Sequence, residues 1–179
     1  MKKKFRLGEN EKEIIKLIGL GLLITASLAI PNLPLALKPF LDNKSKRIKF
    51  KRTIKNLSSK NLIILGGEKI YLTKKGEKIL KKIQSDEIKI KKKKWDGSWR
   101  VVSYDIPNKF GIERDYFRLK LKNFGFERLQ KSLWIIPYEC KEEIALLAQN
   151  LGISPYVIYL TTKKIPNQQK LTKLFNLNS

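Results

Sequence analysis

The sequence has 179 residues, with 39 Lys or Arg against 16 Asp or Glu and a formal net charge of +23. A compact protein so positive repels itself and attracts polyanions, so we expect nucleic acid, acidic lipid or an acidic protein as its partner. A single cysteine, Cys140, and the lack of histidine exclude an intramolecular disulfide, a zinc ribbon, and Ser-His or Cys-His catalysis. Any catalysis would rest on carboxylates and a hard cation such as magnesium.

The first apolar segment favours a buried helix over a membrane anchor. Leu17–Leu37 carries no charge, but two prolines and an asparagine interrupt it after Ile30 and leave 14 uninterrupted residues. A transmembrane helix needs about 20. Basic residues flank both sides, and an acidic stretch separates the basic start from the apolar run, which argues against a signal peptide. We therefore predict a cytoplasmic protein without stable membrane attachment, and keep an anchor over Leu17–Ile30 as an alternative.

Three helices are predicted in the first half. They cover Glu11–Ile30, Leu35–Leu41 and Lys44–Lys60, and the third has an apolar stripe of Phe50, Ile54 and Leu57 at helical spacing. Its polar side is almost wholly positive. The candidate DNA-binding residues are those of this helix and one of the following hairpin: Lys44, Lys46, Arg47, Lys49, Lys51, Arg52, Lys55 and Lys69.

A hairpin and a further helix follow. In Leu62–Leu72, two short apolar strands flank a Gly-Gly turn, and Lys74–Ile83 is helical. Helices, a basic third helix and a hairpin come in the order of a winged helix-turn-helix, in which the third helix enters the major groove and the hairpin lies along the backbone. The next stretch, Ser85–Lys94, is rich in charge and predicts a solvated linker. If DNA is the partner, its lysines would contact phosphates: Lys91, Lys92, Lys93 and Lys94.

The second half predicts the ferredoxin-like order βαββαβ. Its elements are strands at Trp99–Ile106, Phe126–Gln130, Leu133–Pro137 and Tyr156–Leu160, with helices at Ile112–Phe124 and Glu139–Leu151. The tail, Asn167–Leu177, can form a closing amphipathic helix. The predicted fold class is therefore α+β, with a winged-helix domain at 1–84, a basic linker at 85–94, a ferredoxin-like domain at 95–165 and a tail at 166–179.

The second half also resembles the PaaX-type transcriptional repressors, whose middle domain is similar to the small ferredoxin-like CRISPR adaptation protein Cas2. The motifs that carry the resemblance lie between Lys94 and Leu160: Trp95–Pro107, Glu113–Asp115, Phe124–Phe126, Leu129–Trp134, Pro137–Cys140 and Leu151–Tyr156. The first half resembles the family's winged helix more loosely, mainly over Arg47–Gly76. The family's further C-terminal domain has no counterpart in these 179 residues.

The resemblance implies a homodimer built on the ferredoxin-like sheet. Such a dimer is compatible with a winged helix, because two DNA-binding domains held at a fixed spacing recognise a two-fold symmetric DNA site. In the Cas2 family, an Asp at the end of the first strand holds magnesium at the dimer axis, and Asp105 matches it. Asp105 is thus the candidate metal ligand and the candidate catalytic residue. However, metal-dependent cleavage normally needs more ligands than one carboxylate, and a role in a turn or helix cap is the simpler interpretation.

The three tryptophans and the cysteine each allow a structural and a functional interpretation. Trp95, Trp99 and Trp134 could stack on bases of a single strand, but aromatics in strands more often pack in a core or a dimer. We expect packing for Trp134, leave Trp95 open, and take Cys140 as structural.

Three functions follow from these patterns. The favoured one is a DNA-binding transcriptional regulator, a repressor of the PaaX type, that binds duplex DNA as a homodimer and requires no cofactor. The second is a magnesium-dependent nuclease or CRISPR adaptation factor acting through Asp105. The third is a basic protein attached to a membrane.

Overall fold

The computed structural model describes residues 7–20, 40, 42–66 and 69–177. The chain divides into two compact units, Met1–Ile83 and Gln84–Ser179. We refer to them as unit 1 and unit 2.

Unit 1 combines helices with a two-stranded hairpin. Its elements are helices α1 (Glu9–Gly19) and α2 (Lys44–Ser59), strands β1 (Ile63–Gly66) and β2 (Lys69–Leu72), and the start of helix α3 (Lys74–Glu87). The strands are antiparallel, with Gly66 opposite Lys69. The unit closes around one apolar cluster contributed by all of these elements: Ile14, Ile15, Leu17, Ile18, Phe50, Leu57, Leu62, Ile63, Ile70 and Ile83.

The helix predicted over Lys44–Lys60 and the hairpin after it are confirmed. The helix predicted over Glu11–Ile30 is found from Glu9 to Gly19, and its remainder, like nearly all of the predicted helix Leu35–Leu41, lies outside the described residues. Within the described ranges, no helix combines the length and the apolar character that a membrane crossing requires.

Unit 2 is a four-stranded antiparallel sheet with helices. Strands β3 (Trp99–Tyr104), β4 (Glu127–Gln130), β5 (Leu133–Ile136) and β6 (Val157–Thr162) alternate with helices α4 (Gly111–Phe124) and α5 (Lys141–Leu151), and helix α6 (Gln168–Leu174) follows. The strand order across the sheet is β4-β5-β3-β6. This confirms the predicted βαββαβ order, in which the first and third strands lie side by side at the centre.

Both faces of this sheet are covered, at least in part. On one face, Val102 and Tyr104 pack with Phe117 of α4 and Leu147 of α5 in the larger core. On the other, Trp99, Val101 and Ile135 pack against Leu171 of α6. The predicted tail helix therefore exists and belongs to the packing of unit 2.

The segment predicted as a linker is partly structured. The helix predicted over Lys74–Ile83 continues as α3 to Glu87, and Ile88 is buried in the larger core of unit 2 with Ile90 packed beside it. Only the part from Lys91 to Lys94 is exposed throughout. Two isoleucines at alternate positions thus pack the first part of this segment against unit 2, although its charge predicts a solvated linker.

Candidate nucleic-acid interface

Helix α2 forms for local reasons and is held by one face. The side chain of Asn43 caps its start by accepting a hydrogen bond of 2.9 Å from the backbone N–H of Lys46. Phe50, Thr53 and Leu57 are buried, and Ile54 packs against the same cluster. This is the predicted stripe, joined by Thr53, whose hydroxyl donates to the carbonyl of Lys49 at 2.9 Å. The residues on the opposite side of the helix are exposed.

That opposite side is positive along its whole length. α2 has no acidic residue, and its seven basic residues are all exposed: Lys44, Lys46, Arg47, Lys49, Lys51, Arg52 and Lys55. Lys46 approaches Asp42 at 3.5 Å. Five of the seven make no ion pair with any residue that the structure describes: Lys44, Lys49, Lys51, Arg52 and Lys55. The structure thus brings seven of the eight DNA-binding candidates together on one element.

This arrangement opposes helix stability. Arg47–Lys51 and Lys51–Lys55 are like charges four residues apart, and each such pair destabilises a helix by about 0.2–0.5 kcal/mol. Basic residues also occupy the first turn, where the helix dipole favours acids. The positive charges of α2 therefore do not stabilise the helix itself.

The hairpin beside α2 exposes an apolar outer face. Ile64 and Tyr71 are cross-strand partners, and their exposed fractions are 55% and 50%. The Tyr71 ring lies over Gly66, where an added Cβ would be 3.0 Å from a ring carbon. Lys69, the remaining DNA-binding candidate, begins β2 opposite Gly66. A short hairpin that follows the basic helix directly is the element that a winged helix places along the DNA backbone.

Asp105 lies in a concave site whose charge is mainly positive. It is exposed just after β3, and its backbone N–H donates to the carbonyl of Tyr156 at 3.0 Å. The cavity beside it has a volume of about 560 Å³ and is lined by Arg114, Arg118 and Lys131. Among the described residues, no group of three Asp, Glu or Cys comes together to hold a metal. Asp105 is thus surrounded by cationic side chains, whereas a Mg²⁺ ion shared at this position would need further carboxylates.

Arg100, a buried arginine in unit 2, is not among the site residues predicted from the sequence. Arg100 is 4% exposed, and it donates to both oxygens of Asp96 at 2.6 Å and to Glu139 at 2.9 and 3.0 Å. It also donates to the carbonyl of Pro137 at 3.2 Å. The hydrogen bond from Arg100 holds the pKa of Asp96 down at about 2. The network ties the start of β3 to the loop before α5, and is structural.

The tryptophans and the cysteine have packing roles. Trp134 is 6% exposed, and its indole N–H donates to the Tyr104 hydroxyl at 3.4 Å. Trp95 is half-buried against Trp99, with ring centres 5.2 Å apart, and its indole N–H donates to the carbonyl of Ser98. Cys140 is fully buried, and burial raises its pKa to about 12, so it is a poor nucleophile at neutral pH.

The strand order and helix placement define unit 2 as a ferredoxin-like α+β domain. Residues 92–174 match the family described as the PaaX protein central Cas2-like domain. The matched residues make up most of unit 2, which is thus similar to the PaaX-type central Cas2-like domains, as its motifs predict. No curated protein matches the chain significantly. Among solved structures, the chain is similar to an uncharacterized protein of Mycobacterium tuberculosis, Rv0674, at 14% identity and a TM-score of 0.40, over 93% of this chain and 67% of that one.

Proposed function

We propose that this protein is a DNA-binding transcriptional regulator of the PaaX type, a cytoplasmic repressor that binds duplex DNA as a homodimer. In this proposal, unit 1 is a winged helix whose α2 enters the major groove and whose β1–β2 hairpin follows the backbone. Unit 2 provides the dimer contact. The observation that carries the proposal is α2, with seven exposed basic residues and no acid.

The charge of α2 suits DNA better than the other polyanions. Its basic residues follow one rigid helix of 16 residues, the shape that a major groove admits. A hairpin comes next in the chain, and both elements pack on the same apolar cluster. A membrane surface would favour a helix with an apolar face free to enter the lipid, whereas the apolar stripe of α2 is buried.

A dimer is supported by an apolar surface on unit 2. Ile158 and Leu160 of β6 are 57% and 54% exposed, and they pair with Ser103 and Val101 of β3. They extend the face that α6 only partly covers. A second copy of this sheet is the occupant that the family resemblance implies, and it would set two α2 helices at the spacing of a two-fold site. Leu160→Asp should then convert the dimer to a monomer in sedimentation experiments.

Binding to a fluorescein-labelled 30-bp duplex tests the proposal. Replacing Lys51, Arg52 and Lys55 with Ala removes three phosphate contacts and should weaken binding about 10- to 100-fold at moderate salt. The control variant replaces three exposed lysines of unit 2, Lys141, Lys163 and Lys164, and loses the same charge. Anisotropy titrations should show the control within about twofold of the wild type on the counterion argument. Equal losses in both variants would refute the assignment of α2.

The nuclease alternative makes a different prediction. One carboxylate beside three cations is poorly suited to holding a catalytic metal, so we propose that Asp105 has no cleavage role and that any Mg²⁺ at the dimer axis is structural. Purified protein with Mg²⁺ or Mn²⁺ should then leave DNA intact under conditions where it binds tightly. Cleavage that Asp105→Asn abolishes without loss of binding would establish the nuclease instead.

The membrane alternative is tested by fractionation. After lysis without detergent, the protein should stay in the high-speed supernatant once salt has removed it from nucleic acid. Recovery that requires detergent would favour attachment through Leu17–Ile30.

A further inference from the structure

Ile48 occupies an unusual place on α2. It is 61% exposed, whereas Phe50 and Leu57 on the same helix are buried. At 100° per residue, Ile48 and Phe50 are about 200° apart around the axis, so Ile48 projects directly away from the core of unit 1. Its position is therefore the centre of the exposed side of α2.

Cations surround Ile48 on that side. Lys44 precedes it by four residues, Lys51 and Arg52 follow by three and four, and Lys55 follows by seven. Residues three or four apart are neighbours on a helix surface, and a residue seven positions away lies two turns further along the same side. An apolar side chain thus lies in the middle of a positive surface, with all four cations exposed around it.

Folding gives no reason for an isoleucine here. It buries little surface in the free protein, and a β-branched residue has a lower helix propensity than Lys, Arg or Ala. Isolated exposed apolar residues are common in proteins. This one differs because it marks the line along which α2 would approach a partner most closely.

In a major groove, the centre and the flanks of a helix meet different groups. The flanking side chains reach phosphates, and the central ones face base edges. All four base pairs can be distinguished in the major groove by the groups that they present there. The apolar group among these is the C5 methyl group of thymine. Since isoleucine has no hydrogen-bonding group, it can recognise a base only by such an apolar contact.

We infer that Ile48 is a specificity determinant that selects thymine through its C5 methyl group. The inference rests on the proposed function, because it requires α2 to enter the major groove of duplex DNA. The cations around Ile48 would hold the backbone on either side, which sets the register of α2 without reading sequence.

The test separates this inference from the proposed function. The protein of 179 residues is used to select binding sites from a random duplex pool. The enriched duplex is then remade with deoxyuridine in place of thymidine, which removes only the C5 methyl groups. Wild-type protein should lose at least about fourfold in affinity, the value expected for one methyl group withdrawn from apolar contact. Ile48→Ala should bind both duplexes equally, and Ile48→Val should keep the discrimination.

Controls define each outcome. Ile112 of unit 2 is 83% exposed, and Ile112→Ala should discriminate between the two duplexes as the wild type does. If no duplex is enriched, the proposed function fails. If a duplex is enriched but the wild type binds both forms equally, or Ile48→Ala still discriminates, the role of Ile48 is wrong and the DNA-binding function stands.

Discussion

The two units carry their positive charge in different ways. Unit 1 has 21 basic and 6 acidic residues, a net charge of +15, and unit 2 has 18 basic and 10 acidic residues, a net charge of +8. In α5 of unit 2, Glu142 and Glu143 occupy the first turn, where they stabilise the helix dipole. In α2 of unit 1, lysines occupy that turn. The charges of α5 support its own fold, whereas those of α2 are suited to a partner.

Two arginines show the same contrast at single residues. Arg100 of unit 2 is buried and donates to two carboxylates and two carbonyls. Arg52 of unit 1 is exposed and makes no ion pair with a described residue. Exposed surface charges contribute little to stability, whereas a buried, hydrogen-bonded one contributes much. The two arginines therefore differ in burial and in partners, and only Arg100 has a structural role that the contacts define.

The largest expected effect separates these arginines. Arg100→Gln removes the guanidinium that donates hydrogen bonds to Asp96, Glu139 and the carbonyl of Pro137. It should lower the free energy of unfolding of unit 2 by about 2–4 kcal/mol. Arg52→Gln should change stability by less than about 0.5 kcal/mol and weaken DNA binding. All three tryptophans lie in unit 2, so denaturant titrations followed by tryptophan fluorescence report on this unit. Because Arg52 lies in unit 1, its effect is followed by far-UV circular dichroism, and equal losses of stability from the two substitutions would contradict the distinction between them.

A smaller effect is expected where α3 meets the hairpin of unit 1. Gly76 lies in the first turn of α3, and an added Cβ would be 2.1 Å from the carbonyl oxygen of Leu62. Gly→Ala in a helix usually stabilises by about 0.4–1 kcal/mol, but here the backbone must move. Gly76→Ala should destabilise unit 1 by about 1–3 kcal/mol. Far-UV circular dichroism should show the loss while the tryptophan transition stays unchanged; a gain in stability would mean that the hairpin is not packed this closely.

The smallest expected effect is a pH dependence confined to unit 2. The pKa of Asp96 is about 2 in the folded protein, below its ordinary value of 3.8, because Arg100 donates hydrogen bonds to it. A lowered folded-state pKa gives stability that is fully present above the ordinary value and is lost as the pH falls toward 2. In Asp96→Asn, the stability of unit 2, followed by tryptophan fluorescence, should therefore fall less between about pH 4 and pH 2 than in the wild type. An unchanged acid dependence in Asp96→Asn would contradict the role of the ion pair.

Local patterns were enough to predict most elements. The amphipathic spacing of Phe50, Ile54 and Leu57 correctly predicts α2, and the Gly-rich break between two apolar runs correctly predicts the β1–β2 hairpin. The βαββαβ order of unit 2 was also predictable locally, because β-branched and aromatic residues indicate its strands and the spacing of apolar residues indicates its helices. The surface of α2 was predictable for the same reason.

Long-range contacts were not predictable. Arg100 lies in an apolar strand, and its partner Glu139 is 39 residues away, so no local signal joins them. The lysines of Ser85–Lys94 obscured the alternation of Ile88 and Ile90, which pack into the core of unit 2. The cations around Asp105 come from separate elements, α4 and the β4–β5 turn, and converge only in the folded unit.

The most direct test of the central claim is the salt dependence of DNA binding. Each phosphate contact adds about 0.9 to the slope of log affinity against log salt concentration. Replacing Lys51, Arg52 and Lys55 with Ala should therefore flatten the slope by up to about 2.7, while the Lys141, Lys163 and Lys164 control should keep the wild-type slope. A slope that the α2 substitutions leave unchanged, or that the control flattens as much, would contradict the claim that α2 carries its charge for DNA.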